Sequence, residues 1–324
     1  MIGSTLDMPQ VSELATRKLL IVTGKGGVGK TSVSVALASR FAAEGKRVLI
    51  AMCNTQDRVG QMFAQPPVGP NVVRLADRIW GVNIDPEHAL EEYGVLTLKS
   101  RTLYRFLFDN KYVRAFLRAI PGMFEWAMLG KAWWHTTELG DDGQNKYDIV
   151  IVDAPATGHG LDMLRVPRIL CDVAPPGILR RDAEASLNMM RDPARCAVVV
   201  VSLPEEMPVT ETLELVDELG AALALPLGAV IVNAAYADVL DEATRAQLQT
   251  QQPRAAGALA AKSEVLAYEE RLGMQKRAYA RLCAALGSTP TVLPYRADAG
   301  TPEGVRAIAE LLGQAPAWPE IVVA

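Results

Sequence analysis

Gly24-Lys25-Gly26-Gly27-Val28-Gly29-Lys30-Thr31 is the stretch that decides how this 324-residue chain is read. It fits the pattern G-x-x-x-x-G-K-[ST], with the apolar run Leu19-Leu20-Ile21-Val22 before it and a helix-like segment, Ser32 to Glu44, after it. Strand, glycine loop and helix together make a phosphate cradle. The glycines let the backbone close around an anion, the loop N–H groups point inward, and the positive end of the helix faces the phosphates. The loop from Gly26, Gly27, Val28 and Gly29 through Lys30, Thr31 and Ser32 is thus the candidate nucleotide site. Lys30 would reach the β- and γ-phosphates, and Thr31 would hold Mg²⁺ through its hydroxyl.

Outward from the loop, short apolar β-type runs alternate with helical segments. They are 19–22, 47–51, 149–152, 197–201, 229–232 and 291–293. Such alternation predicts an α/β fold of three layers, a mostly parallel sheet covered by helices on both faces. With 50% hydrophobic residues the chain can bury a large core, and no low-complexity linker divides it, so residues 1–324 read as one phosphate-loop domain. Between about 86 and 140 the alternation stops. Leu96, Leu98, Leu103, Phe106, Leu107, Phe116 and Leu117 are there interleaved with lysines and arginines, which reads as an inserted helical subdomain. Its second part, 119–134, is crowded with methionine and tryptophan. Such side chains can line a surface for apolar partners, and more ordinarily they cover a sheet or a dimer contact.

A second chemical signal is Ile149-Val150-Ile151-Val152-Asp153. An aspartate ending an apolar strand can point its carboxylate at the Mg²⁺ shell held by Thr31. Asp153 and Thr31 are therefore the candidate metal ligands, and ATP with Mg²⁺ is the expected cofactor pair.

Several further residues carry a resemblance. Lys25, directly after the first glycine, gives the arrangement KGGVGK. This is similar to the deviant phosphate loop of the family that holds the arsenical-pump and tail-anchored-protein-targeting ATPases, with the septum-site and chromosome-partition ATPases and the nitrogenase iron protein. Ala154-Pro155-Ala156-Thr157-Gly158-His159-Gly160 resembles the switch segment of the arsenical-pump and targeting branch, matching at Thr157, Gly158 and His159 and departing before them. The resemblance extends from about Arg17 to Leu312 through 82–93, Ser202-Leu203-Pro204-Glu205-Glu206 with Glu211-Thr212, Ile231-Val232-Asn233 and Leu293-Pro294-Tyr295-Arg296. It implies that Lys25 crosses a dimer interface to the nucleotide of the other subunit, where it would stabilise charge on the transferring phosphoryl group. It also implies that Asn233 reads the nucleotide base while Pro294 and Tyr295 cover it. For Asn233 alone, a strand-end turn is the competing reading.

One departure bears on rate. Where the branch places an aspartate that positions the attacking water, this chain has Asn54, in Met52-Cys53-Asn54-Thr55-Gln56-Asp57. An amide can orient water but cannot accept its proton, so hydrolysis should be slow. Lys25, Lys30 and Asn54 are the candidate catalytic residues, and Asp57 could replace the missing carboxylate only if the loop were rearranged. The expectation is a dimeric, slowly hydrolysing ATP switch, a homodimer or a heterodimer with a paralogue, coupled to a hydrophobic client or a membrane-protein partner. The alternative is an ATP-binding regulatory subunit whose active paralogue supplies turnover.

Charge and composition narrow the partners. A net charge of −4 offers no general attraction to nucleic acid. No apolar run approaches the roughly 20 residues of a membrane span, and residues 1–17 lack the layout of a secretory signal, so a cytoplasmic location is expected. Cys53, Cys171, Cys196 and Cys283 form no C-x-x-C pair, which speaks against a zinc clasp, and no cysteine lies in the insert to bind arsenite.

Overall fold

A computed structural model describes residues 11–98, 122–155, 159–250, 256–314 and 318. Its centre is one eight-stranded sheet in the order β3-β4-β2-β5-β1-β6-β7-β8. The strands are β1 Leu19–Thr23, β2 Val48–Cys53, β3 Val73–Ala76, β4 Ile79–Ile84, β5 Ile149–Asp153, β6 Cys196–Ser202, β7 Leu227–Ala235 and β8 Thr291–Pro294. Every pairing is parallel except β3 with β4, a short antiparallel hairpin at one edge. This is the three-layer α/β phosphate-loop fold. The six strands expected from sequence are all present. The added pair, β3 and β4, was hidden because Ile79-Trp80-Gly81-Val82-Asn83-Ile84 mixes a glycine and an asparagine into its apolar run, and both residues are poor strand formers.

The helices are α1 Lys30–Ala43, α2 Val59–Met62, α3 Pro86–Leu98, α4 Met123–His135, α5 His159–Val173, α6 Ile178–Arg191, α7 Glu206–Glu218, α8 Glu242–Thr250, α9 Ala256–Leu286 and α10 Pro302–Gln314. Successive strand side chains point to opposite faces, so each buried strand feeds two cores. Leu20, Val22, Ile50, Ile151 and Val199 pack with Val33, Leu37 and Phe41 of α1 and with Val305 and Ile308 of α10. Leu19, Ile21, Leu49, Val152 and Val200 pack on the other face with Trp126 and Leu129 of α4 and with residues of α5, α6, α7 and α9. All five residues of β1 are buried, as are the seven of β6, which is why these strands read as continuous apolar runs rather than alternating ones.

Within 86–140 the described residues are helical, in α3 and α4, apart from short turns and an isolated bridge between Leu139 and Asn145 that closes the loop into β5. Residues 99–121 lie outside the described set. The methionine- and tryptophan-rich stretch divides in two. Met123, Trp126 and Met128 are core side chains, whereas Trp134 is 42% exposed. At the far end of the chain, Trp318 is buried with its ring 5.6 Å from that of Tyr279 on α9. None of the helices among the described residues is long and apolar enough to cross a membrane.

Candidate functional site

The loop from Gly24 to Gly29 leaves the carboxyl end of β1 and enters α1, at the edge of the parallel sheet where ligands of such folds gather. Two of its glycines are there for reasons of contact. Gly24 has φ 144°, and a Cβ on it would stand 2.1 Å from the carbonyl oxygen of Val201 in β6. Gly29, at φ 91°, caps α1, and a Cβ there would stand 2.2 Å from Nδ2 of Asn233 at the end of β7. The loop is thus wedged against two strands that come much later in sequence. No side chain caps α1, so its first amides remain directed at the loop.

The charged groups follow from this frame. Lys30 Nζ donates to the carbonyls of Gly24 at 3.1 Å and Lys25 at 3.0 Å, folded back across the loop it would use to grip phosphate. Burial pulls its ammonium below the ordinary lysine range, opposed by the nearby Asp153 carboxylate. Thr31 Oγ1 donates to Asp153 Oδ2 at 2.7 Å, so the two expected metal ligands meet. Ser34, one turn further along α1 and fully buried, donates to the other oxygen, Oδ1, at 3.2 Å. Desolvation pushes the Asp153 carboxyl above the usual carboxylate range despite the Thr31 and Ser34 hydroxyls and the Lys30 charge, which all favour the anion. A half-buried hydroxyl beside a buried carboxylate, both hard oxygen donors, suits Mg²⁺, whose remaining ligands would come from water and phosphate. Nothing in the motif spacing singled out Ser34; its partner becomes visible only once β5 lies beside β1.

Asn54 follows β2, two residues beyond Met52, the residue paired with Asp153 across the β2–β5 ladder. It is exposed and left-handed, at φ 48°, a conformation that asparagine tolerates better than most residues. The segment that carries it is braced. Asn54 N donates to Ile84 O at 3.0 Å, and the Asn83 amide exchanges two hydrogen bonds with the Thr55 backbone. Asp57 accepts from the backbone amides of Val59 at 2.8 Å, Gly60 at 3.2 Å and Val68 at 2.8 Å. That carboxylate is therefore committed to holding the loop and α2. It does not stand in for the acid missing at 54.

Asn233 is placed beside the loop, and its Nδ2 donates to Val28 O at 2.9 Å. The next residue, Ala234, has φ 57°, and the β7–β8 register shifts there, so the strand kinks as it leaves the site. Tyr295 is 58% exposed, its amide bonded to Ala235 O at 2.8 Å and its ring 5.9 Å from Tyr236, which stacks on Tyr268 at 5.2 Å. Pro294 closes β8 beside them. Asn233 thus touches the loop, while Pro294 and Tyr295 lie beside the end of β7 that follows it, with an aromatic cluster that was not legible from sequence. Lys25 Nζ is paired within its own chain, with Glu211 Oε1 of α7 at 2.6 Å. Thr157 and Gly158, and the side chain of His159, lie outside the described set.

Away from the loop, α3, α4 and α6 border a half-open cavity of about 830 Å³ lined by Tyr93, Trp126, Trp133, Trp134 and Ile178. Lys131 sits over the Trp134 ring at 4.5 Å and pairs with Glu92 at 2.5 Å, giving it a charged rim.

Comparison with known proteins finds a matching family and several relatives. A model of the anion-transporting ATPase family matches residues 17–174, from the start of β1 through the phosphate loop, Asn54 and Asp153 to the end of α5. ATPase BagA of Mycobacterium tuberculosis is 33% identical over 236 residues, 71% of this chain and 68% of that protein. ATPase ASNA1 homolog 1 of Paramecium tetraurelia is 30% identical over 168 residues, 50% of this chain and 47% of that one. An arsenical pump-driving ATPase of Escherichia coli is 30% identical over 193 residues, 57% of this chain but 32% of its own length.

Proposed function

The chain belongs to the anion-transporting ATPase family, and from that premise we infer that it is an ATP-operated dimeric switch that hydrolyses slowly. The single observation that carries this reading is the convergence of Lys30, Thr31 and Asp153 under the amino end of α1, with Thr31 Oγ1 2.7 Å from Asp153. Loop amides and Lys30 would hold the β- and γ-phosphates of ATP. Thr31 and Asp153 would hold Mg²⁺, which when bound supplies positive charge to the phosphate oxygens. Asn233, Pro294 and Tyr295 would border the base. Lys25 would reach the nucleotide of a second subunit, adding charge where the transferring phosphoryl group develops it.

Asn54 would orient the attacking water without taking its proton. Phosphoryl transfer depends chiefly on positioning and charge stabilisation, so loss of a base slows the reaction rather than forbidding it. The nucleotide state would pass through the segments after β2 and β5 to the helices between 86 and 140, and from there to a hydrophobic client or membrane-protein partner met in the cytoplasm.

A second reading is supported by the same braced loop. Because Asp57 is occupied by three amides, no carboxylate of that loop is free to act, which suits a regulatory subunit paired with an active paralogue. Steady-state phosphate release from purified protein separates the two, alone and as Asn54→Asp. Slow turnover by the unaltered chain supports the enzyme; turnover that appears only after the substitution supports the regulatory subunit. Lys30→Ala should abolish tight ATP binding, and unchanged affinity would remove the phosphate-loop assignment altogether.

A further inference from the structure

We infer that Glu211 is a positioning residue for Lys25, a counter-ion that parks the crossing lysine in its own subunit and so weakens the association of ATP-bound subunits until both lysines are released. The inference rests on the dimeric reading above and adds its regulation. Lys25 Nζ and Glu211 Oε1 are 2.6 Å apart, with 36% and 30% of the two side chains exposed. A lysine held in this pair cannot at the same time reach across to another nucleotide.

Glu211 stands on a fixed support. On one side of it Thr212 Oγ1 donates to the buried Ser202 Oγ at 2.8 Å, and on the other Arg281 of α9 donates to Thr210 Oγ1 at 3.0 Å. The helix is therefore anchored on both sides of Glu211, so Lys25 is freed when its own long side chain swings away from that helix. The two lysines of the loop are also linked, because Lys30 donates to the Lys25 backbone carbonyl at 3.0 Å. A triphosphate entering the loop would draw Lys30 to its own oxygens and remove that backbone restraint. Phosphate in one subunit thereby loosens the lysine meant for the other, and Glu211 remains as the last competitor for its charge.

A partly exposed ion pair of this kind is worth roughly 1.5- to 5-fold in an equilibrium constant. Closing a dimer breaks two, so removing Glu211 should tighten association by roughly 2- to 25-fold.

Two measurements on the full-length protein test this. The first is the acylation rate of Lys25 in nucleotide-free protein, followed by mass spectrometry; Glu211→Gln should raise it severalfold while other lysines keep theirs. The second is the dimer dissociation constant at saturating Mg·ATP by sedimentation. Glu211→Gln should lower it within the range given, and should have no effect when added to Lys25→Ala. Unchanged acylation means the pair does not hold in solution and overturns the inference, as does faster acylation with an unaltered or weakened dimer. If the unaltered protein stays monomeric in Mg·ATP, the dimeric reading itself falls and the inference falls with it. That outcome is told apart because no variant is needed to see it.

Discussion

Replacing Gly24 by alanine should cost far more than replacing Gly27, although the two glycines are three residues apart in one loop and both have positive φ. At Gly27, φ is 84° and a Cβ would meet nothing within 4 Å, so alanine there carries only the left-handed penalty, about 1–2 kcal/mol. At Gly24, φ is 144° and the Cβ would lie 2.1 Å from Val201 O, with Val201 C at 3.1 Å. Relief needs a shift of about 1 Å against ordinary van der Waals spacing. The obstacle is backbone in β6, which is paired on both sides, with β1 and β7, so it cannot yield without stretching ladder hydrogen bonds. Strain and overlap together should reach about 3–5 kcal/mol. An unfolding entropy of about 2.1 cal/mol/K per residue converts 1 kcal/mol to about 1.5 °C for a chain of this length. Thermal unfolding of nucleotide-free protein should then fall by about 2–3 °C for Gly27→Ala and about 5–7 °C for Gly24→Ala. ATP affinity should drop more than tenfold in the second variant, because the loop is displaced from its amide geometry. Equal melting temperatures for the two variants would refute the close approach to β6.

Three further outcomes follow from the site and its surroundings. Asp57→Ala should destabilise by about 2–3 kcal/mol, since three backbone amides lose a charged acceptor; amide exchange should quicken at Val59, Gly60 and Val68 while the sheet keeps its protection. Ser34→Ala removes a donor that favours the Asp153 anion. The pH at which Mg²⁺-dependent ATP binding is half developed should therefore move upward, as read by calorimetric titration across pH. His135 is buried with Nδ1 2.6 Å from Glu138 Oε2, and desolvation holds its imidazole below the ordinary 6.5 although Glu138 favours the cation; Lys131 and Lys146 oppose protonation as well. The unfolded chain thus binds a proton that the folded one refuses. Stability should be unaffected by this group above the unfolded value and should decline as pH falls below about 6.5, by at most about 1.4 kcal/mol per pH unit. A His135→Phe variant should show a shallower decline in chemical denaturation between pH 6.5 and 5.

How far the sequence announced all this depended on whether a signal was local. Gly24 to Thr31 and Asp153 each declare themselves within a few residues, because a phosphate loop and an aspartate at the end of an apolar strand are local patterns, and the structure brings Thr31 and Asp153 into contact. The buried strands were legible for the same reason. β3 and β4 were not, since a short edge hairpin gains its order from β2 rather than from its own pattern. The partners of Asp57, Ser34 and Lys25 were equally hidden. Glu211 is far from Lys25 in sequence, and the Val201 carbonyl that requires glycine at 24 is a backbone atom with no residue signature at all. The Tyr236, Tyr268 and Tyr295 cluster was hidden likewise, because it joins a residue after β7, one on α9 and one after β8 that are far apart in sequence.

The strand order has a consequence for synthesis in the cell. β1, wholly apolar but for Thr23, is synthesised long before both of its neighbours, β5 and β6, and β6 ends only at Ser202. At about 5–20 residues per second the ribosome needs roughly ten to forty seconds to deliver them. Throughout that interval the nascent chain carries an unsatisfied hydrophobic ribbon with open hydrogen-bonding edges. Pairing on both sides of β1 therefore cannot be completed before β6 has left the exit tunnel.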